Sequence, residues 1–238
     1  MLPNQSKSGN QLIDALPLEE SKRLAPYFKL VYLQSSTILH EPGEFIDFAY
    51  FPIGAMISLV SIMDNGATTE MGLIGNEGFI GLPIVLGGEH SISRAIVQME
   101  GDALKIKGSI LKQEFQRGLN LQKLLLIYTQ ARLTQVAQTS ACNRQHSIRQ
   151  RLSRWLLSVY DGVLKDELPL TQEFMANMLG TRRAGVTNAA NELQKAGLIS
   201  YSRGKVHILD REGLEENACE CYRVIQNEFI RLLGSKRG

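Results

Sequence analysis

Two short helical patterns meet at Gly180 and run into a hairpin signal, all within residues 170–205, and this stretch leaves the chain few choices of fold. Thr171 can cap the first helix by offering its hydroxyl oxygen to an orphan backbone N–H. That helix turns Phe174, Met175, Met178 and Leu179 toward a core. Gly180 supplies a tight turn, and the small residues Ala176 and Gly180 let the two helices approach closely. On the second helix, over 182–194, Val186, Ala190 and Leu193 recur at i, i+4 and i+7 as one buried stripe. Arg183, Thr187, Asn188 and Asn191 fall on another face. Hydrogen-bonding side chains backed by an apolar stripe suit a helix that lies in a DNA major groove.

The next residues extend the pattern. Leu198-Ile199 and Val206-His207-Ile208-Leu209 flank a Tyr201-Ser202-Arg203-Gly204-Lys205 turn. A glycine between Arg203 and Lys205 at a hairpin tip fits contact with a phosphate backbone. The whole reads as a winged helix-turn-helix. The competing reading is an ordinary helix hairpin with a solvated polar face.

Charge agrees with the first reading. Residues 1–110 hold 7 Lys and Arg against 12 Asp and Glu, whereas residues 111–238 hold 19 against 12. An acidic front and a basic back place any polyanion at the C-terminal end. Three cysteines, Cys142, Cys219 and Cys221, argue against a disulfide framework and for a reducing compartment. Cys219 and Cys221 stand two apart in a helical-looking segment, so they are expected on different faces and without a metal. The apolar stretch 45–63 is interrupted by Asp47, Pro52 and Gly54 and reads as two buried strands, not a membrane span. With no signal-peptide pattern at the N-terminus, a cytoplasmic protein is expected.

Along the chain, residues 1–10 look disordered and 12–27 form a short helical region broken by Pro17 and Pro26. Strand patterns follow at 29–33, 37–40, 46–51, 56–63, 68–74, 92–99 and 103–107, separated by turn residues, which argues for an antiparallel roll. From Ser109 the period turns helical, and 119–141 holds neither Gly nor Pro. Leu126, Thr129, Leu133, Val136 and Ser140 step by 3, 4, 3 and 4, a weak heptad seam able to pair with its twin. A second helix over about 146–160 and an amphipathic tail from Gly213 complete an α+β chain: antiparallel β-roll at 1–118, long dimerisation helix at 119–143, winged helix-turn-helix at 144–238.

This order resembles the Crp/Fnr family of bacterial transcription regulators over nearly the whole chain. Glu41-Pro42-Gly43-Glu44 looks like the family's Pro-Gly-Glu turn, and Tyr50-Phe51-Pro52, Gly54 and Ser58-Leu59-Val60 look like its next strands. Leu179-Gly180-Thr181-Arg182-Arg183 through Val186, then Leu193 and Gly197-Leu198-Ile199, look like its helix-turn-helix. The resemblance implies a cyclic-nucleotide-binding-like roll and a homodimer joined through Leu126, Thr129, Leu133 and Val136. It implies double-stranded DNA as partner at a near-palindromic operator, with RNA polymerase and a small-molecule effector as further partners.

Carried over residue by residue, Arg183 matches the guanine-reading position, where its planar fork suits O6 and N7. Ala184 replaces a frequent Glu and Asn188 a frequent Arg, so an altered half-site is expected, with Asn188 able to read adenine. Arg182 stands where a Ser or Thr cap is common and is assigned to phosphate. The expected DNA-contacting set is Thr171, Gln172, Thr181, Arg182, Arg183, Thr187, Asn188, Arg203 and Lys205. For Arg182 and Arg203 plain solvated charge stays open.

The sensor side departs from the family's cyclic-nucleotide pattern. Gly81 and Arg94 keep ligand-type positions, with Val136 on the long helix, but Leu82 replaces the ribose-binding carboxylate and Ala95 a hydroxyl. Each missing hydrogen bond to a buried nucleotide costs about 1–3 kcal/mol, so cyclic AMP is not expected. Arg94 reads as an anion partner or, in preference, as a structural ion pair. No cysteine precedes Cys142, which excludes an N-terminal iron–sulfur cluster, and His40 and His90 are haem ligands by residue type only.

An enzyme reading finds little. The four histidines, His40, His90, His146 and His207, include no His-x-His pair of the kind a metal-dependent cupin needs. No Gly-x-Ser-x-Gly elbow or phosphate loop occurs either. The expectation is a DNA-binding regulator with no catalytic residue, no metal and no cofactor. The alternative is a small-molecule-sensing module whose DNA binding requires an unidentified effector or is lost.

Overall fold

The computed structural model describes residues 7–163 and 167–234. Its first element is α1 (Gln11–Asp14), followed by α2 (Leu18–Leu24) and a 3-10 turn over Ala25–Tyr27, so the two prolines divide this region as expected. The expected disorder up to Asn10 does not extend to Asn10 itself, which is fully buried. Its Oδ1 caps α1 by accepting from Leu12 N and Ile13 N, and its Nδ2 donates to the carbonyls of Pro52 and Gly78 at 2.8 and 2.9 Å. A polar stretch reads as loose, but one asparagine with every bonding group satisfied can enter a core. Residues 1–6 lie outside the described residues.

The roll consists of β1 (Lys29–Leu33), β2 (Ile38–His40), β3 (Phe48–Pro52), β4 (Met56–Ile62) and β5 (Thr68–Ile74), then β6 (Arg94–Met99) and β7 (Gly101–Lys107). One sheet runs β1-β7-β3 and the other β2-β6-β4-β5, all pairs antiparallel. Strand alternation sends Ala95 and Val97 of β6 inward, where they pack with Leu33, Ile57, Ile74 and Ala103 between the sheets. A short helix α3 (Leu82–Leu86), absent from the strand-and-turn reading, interrupts the β5–β6 connection.

Helix α4 (Gly108–Gln116) leads into α5 (Asn120–Gln145), which runs two residues past the expected end at 143. Nothing breaks it before Ser147, whose side chain opens the next helix by accepting from Gln150 N. That helix is α6 (Ile148–Val163), followed by a two-residue strand β8 (Glu167–Leu168) too short to show a pattern. Then come α7 (Gln172–Leu179), α8 (Arg183–Lys195), β9 (Ile199–Ser202), β10 (Lys205–Ile208), α9 (Arg211–Glu216) and α10 (Cys221–Leu233). Helix α10 packs along α5, with Ile225 and Phe229 buried beside Leu125 and Tyr128.

The roll and the C-terminal elements share one core. Met56, Val60, Leu73 and Met99 of the roll pack with Leu152, Trp155, Leu156 and Met178 of the helices. Trp155 Nε1 donates to Glu70 at 3.1 Å, and the same carboxylate accepts from Ser58 Oγ at 2.7 Å.

Candidate nucleic-acid interface

Thr171 starts α7 as expected: its hydroxyl oxygen accepts from Phe174 N at 3.2 Å. Met175, Ala176, Met178 and Leu179 are buried, and Phe174 lies partly buried against the Trp155 ring. The helix ends at Gly180, which adopts φ 57° and ψ 44°, a left-handed conformation that favours glycine. A Cβ there would also stand 2.6 Å from the Thr69 hydroxyl on β5, so the turn is pressed against the roll. Thr181 N closes the turn on the carbonyl of Ala176 at 3.0 Å.

Helix α8 buries Val186, Ala189, Ala190 and Leu193. Arg182, Arg183, Asn188 and Asn191 are exposed, and Thr187 is half-buried. Arg182 occupies the N-cap position without a side-chain capping bond. Among the described residues, the guanidiniums of Arg182, Arg183 and Arg203 form no ion pair. Thr187 differs: its hydroxyl donates to Gln172 Oε1 at 2.7 Å and to the Arg183 carbonyl at 3.0 Å. Gln172 therefore links the two helices, and its backbone N–H is tied to the Tyr201 hydroxyl of the wing at 3.2 Å. The helix pair and the hairpin are held as one rigid surface.

The wing is the hairpin β9–β10, with β8 added on the far side of β10. Arg203 and Gly204 both have positive φ, 49° and 76°, as a two-residue hairpin turn of this twist requires. Arg203 is exposed at the tip. Lys205 is placed otherwise: its ammonium lies 2.6 Å from Glu167, on the strand that sequence reading missed. That contact pulls the Glu167 carboxyl below the usual carboxylate range.

The seam expected for dimerisation lies on the open side of α5. Leu126, Leu133 and Val136 are 48%, 67% and 40% exposed, with Thr129 half-buried among them. The opposite face buries Leu121, Leu125, Tyr128, Arg132, Gln135, Thr139 and Cys142 within the same chain.

In the roll, a cavity of about 240 Å³ is lined by Gly81, Leu82, Pro83, His40, Ser93 and neighbouring residues. Drug-sized ligands usually occupy about 300–1,000 Å³. Arg94 and Val136 are not part of its lining. Arg94 is instead bound by Glu41, with Nε and Nη2 each 2.8 Å from a carboxylate oxygen. His40 is buried with Nδ1 unpartnered, and desolvation holds its pKa below the ordinary imidazole value.

One constellation escaped sequence reading. Cys142, Cys219 and Cys221 are all buried and in contact, with His146 beside them. The expectation that Cys219 and Cys221 face apart assumed one continuous helix. Helix α10 begins only at Cys221, and Cys219 belongs to the turn before it, so both sulfurs point to the end of α5. A hydrogen bond with Cys219, aided by the charge of Arg154, holds the Cys142 thiol well below the ordinary range.

No helix among the described residues is long and apolar enough to cross a membrane. Residues 150–217 match the family described as the Crp-like helix-turn-helix domain. No curated protein sequence matches the chain. Solved structures share its fold. A putative transcriptional regulator of the Crp/Fnr family from Eubacterium rectale has TM-score 0.70 and 19% identity, over 91% of this chain and 100% of that one. FixK2 from Bradyrhizobium japonicum has TM-score 0.69 and 13% identity, over 81% and 98%. The regulator CLP from Xanthomonas campestris, described as responsive to c-di-GMP, has TM-score 0.66 and 16% identity, over 81% and 99%. Roll, long helix and winged helix-turn-helix follow one another here as in those structures, and the match to the Crp-like helix-turn-helix domain falls on the last of them.

Proposed function

We propose that the chain is a sequence-specific, DNA-binding transcription regulator that acts in the cytoplasm as a homodimer on a near-palindromic operator. The observation that carries this reading is α8: Arg183 and Asn188 stand exposed on a helix whose other face is buried and which is tied to Gln172 through Thr187 and to the wing through Gln194. Arg183 reads guanine and Asn188 reads adenine in the major groove, while Arg182 and Arg203 hold phosphates. Gln172 and Thr187 position α8 through their mutual bond, and Thr171 and Thr181 fix the two ends of α7. Lys205 is paired with Glu167 and, with three N–H donors on an exposed ammonium, keeps donors for a phosphate.

The exposed seam of Leu126, Leu133 and Val136 supports dimerisation through α5, because an apolar stripe along about three turns of helix is a poor surface to leave in water. Two copies then present α8 to successive major grooves, about one helical turn apart. The working division is a roll at 1–118, a dimerisation helix at 119–143 and a DNA-binding unit at 144–238. Cyclic AMP is not the effector in this reading, since the cavity is small, Leu82 lines it and Arg94 is already paired with Glu41.

Selection of bound fragments from a random DNA pool at moderate salt, without effector, tests the proposal. Recovery of a near-palindromic motif supports it. Recovery of salt-sensitive binding alone, with no motif, would favour the second reading, in which an effector must first act. The contact of the Gly180 turn with Thr69 favours that second reading, because the reading head is packed on the roll.

A further inference from the structure

We infer that Cys142, His146, Cys219 and Cys221 form a mononuclear, tetrahedral metal site for zinc(II) or a cation of like preference, clasping the end of α5 to the segment before α10. Their ligand atoms all lie within 4.8 Å of one another. Cys142 Sγ is 3.4 Å from Cys219 Sγ, and Cys221 Sγ is 3.6 Å from His146 Nδ1. A tetrahedral ion with Zn–S near 2.3 Å and Zn–N near 2.0 Å sets its donors about 3.5–3.8 Å apart. The four side chains thus stand close to coordinating positions, and three sulfurs with one imidazole are a donor set that favours zinc. An iron–sulfur cluster needs several irons and sulfides between its thiolates, which a group this compact does not admit.

The surroundings support the same assignment independently. His146 turns Nδ1 toward the sulfurs while Nε2 lies 3.2 Å from the Glu220 carboxylate. A carboxylate behind the non-ligating nitrogen is the usual means of fixing the tautomer and orientation of a metal-bound imidazole. Gln138 Nε2 donates to Cys221 Sγ at 3.1 Å, a bond suited to a thiolate. Three thiolates on a divalent ion leave one net negative charge. The buried guanidiniums of Arg151 and Arg154 act on Cys142 electrostatically and answer that charge. Both carry a buried Nε without a partner among the described residues. Three buried cysteines packed as small apolar side chains would need neither the histidine nor its carboxylate.

The proposal concerns metal alone and stands apart from the DNA reading. The full-length protein is stripped with a chelator under reducing conditions and titrated with cobalt(II), read by absorption. The expected result is saturation at one cobalt per chain, with thiolate charge-transfer bands and the intense visible absorption of a tetrahedral ion. Zinc(II) should then abolish that spectrum in equal measure. Cys142→Ser should lower the charge-transfer intensity at saturation by about the share of one thiolate in three. Glu220→Gln keeps every ligand and alters an exposed residue; it should preserve the spectrum and lower cobalt affinity by about 10–100-fold. Cobalt binding without charge-transfer bands would overturn the site. So would iron and sulfide in the protein isolated without air, or a Cys142–Cys219 disulfide that persists under reduction. Unchanged affinity in Glu220→Gln, with circular dichroism showing a folded chain, would overturn the assignment of His146 as a carboxylate-backed ligand.

Discussion

Helix α8 carries Arg183, Asn188 and Asn191 into solvent, whereas the roll cavity is lined by Leu82, Pro83, Ile92 and a histidine deprived of water. In the first region, strong hydrogen-bonding groups are held on a frame of two helices and a hairpin. In the second, the one cation of ligand type is closed off by Glu41. Exposed hydrogen-bonding side chains thus lie on α8, while the arginine of the roll that keeps a ligand-type position is paired with Glu41 within the chain. Fold likeness to regulators with a named small molecule therefore says less about the cavity here than Glu41 and Leu82 do.

Under the proposed function, the largest effect is expected at the apolar seam of α5. Leu133→Glu puts a charge on each copy of an apolar stripe, so sedimentation should show a monomer. Operator affinity should then fall toward the non-specific level, by about 1,000-fold or more. A variant that stays dimeric would remove α5 from the interface. Arg183→Ala is expected to cost about 1–3 kcal/mol on the best site and to relax preference at one base position. Equal weakening on all sequences would show that Arg183 reads no base.

Smaller effects are expected at the wing and in the roll. Arg203→Ala should weaken all sequences alike and reduce the salt slope by about one unit, and an unaltered slope would take the wing off the phosphate backbone. Glu41→Gln releases Arg94 from a pair whose partners are each about one-third exposed, so thermal stability should change by about 0–1 kcal/mol. Added cyclic AMP should still leave the melting temperature of this variant where it was. A clear upward shift with the nucleotide would show that pairing with Glu41, and not the loss of the carboxylate and hydroxyl at Leu82 and Ala95, had closed the site.

The strands from 29 to 107 were legible because alternation is a local, two-residue signal and Gly and Pro mark most of the turns. Helix-turn-helix order was legible for the same reason, through Val186, Ala190 and Leu193 on one stripe. Helix α3 and strand β8 were not, since five and two residues are too few to show a period. The ion pair of Lys205 went unread with β8, because its partner Glu167 lies on that strand. The thiol cluster was hidden by another kind of distance. Cys142 and Cys219 are 77 positions apart, and only the packing of α10 on α5 joins them. Burial of Asn10 likewise depended on the carbonyls of Pro52 and Gly78, which no local pattern announces.

Because Leu73 and Met56 of the roll are buried with Trp155 and Met178, the two halves of the chain have no separate interiors at that place. They should unfold in one cooperative transition by heat or denaturant, with the absorbance of Trp155 reporting on both. Any swing of the reading head away from the roll has to wet this shared interior and strip the Trp155 N–H from Glu70. Whatever drives such a swing must bind the opened arrangement more tightly by at least that amount, and one that binds both equally will leave the head where it is.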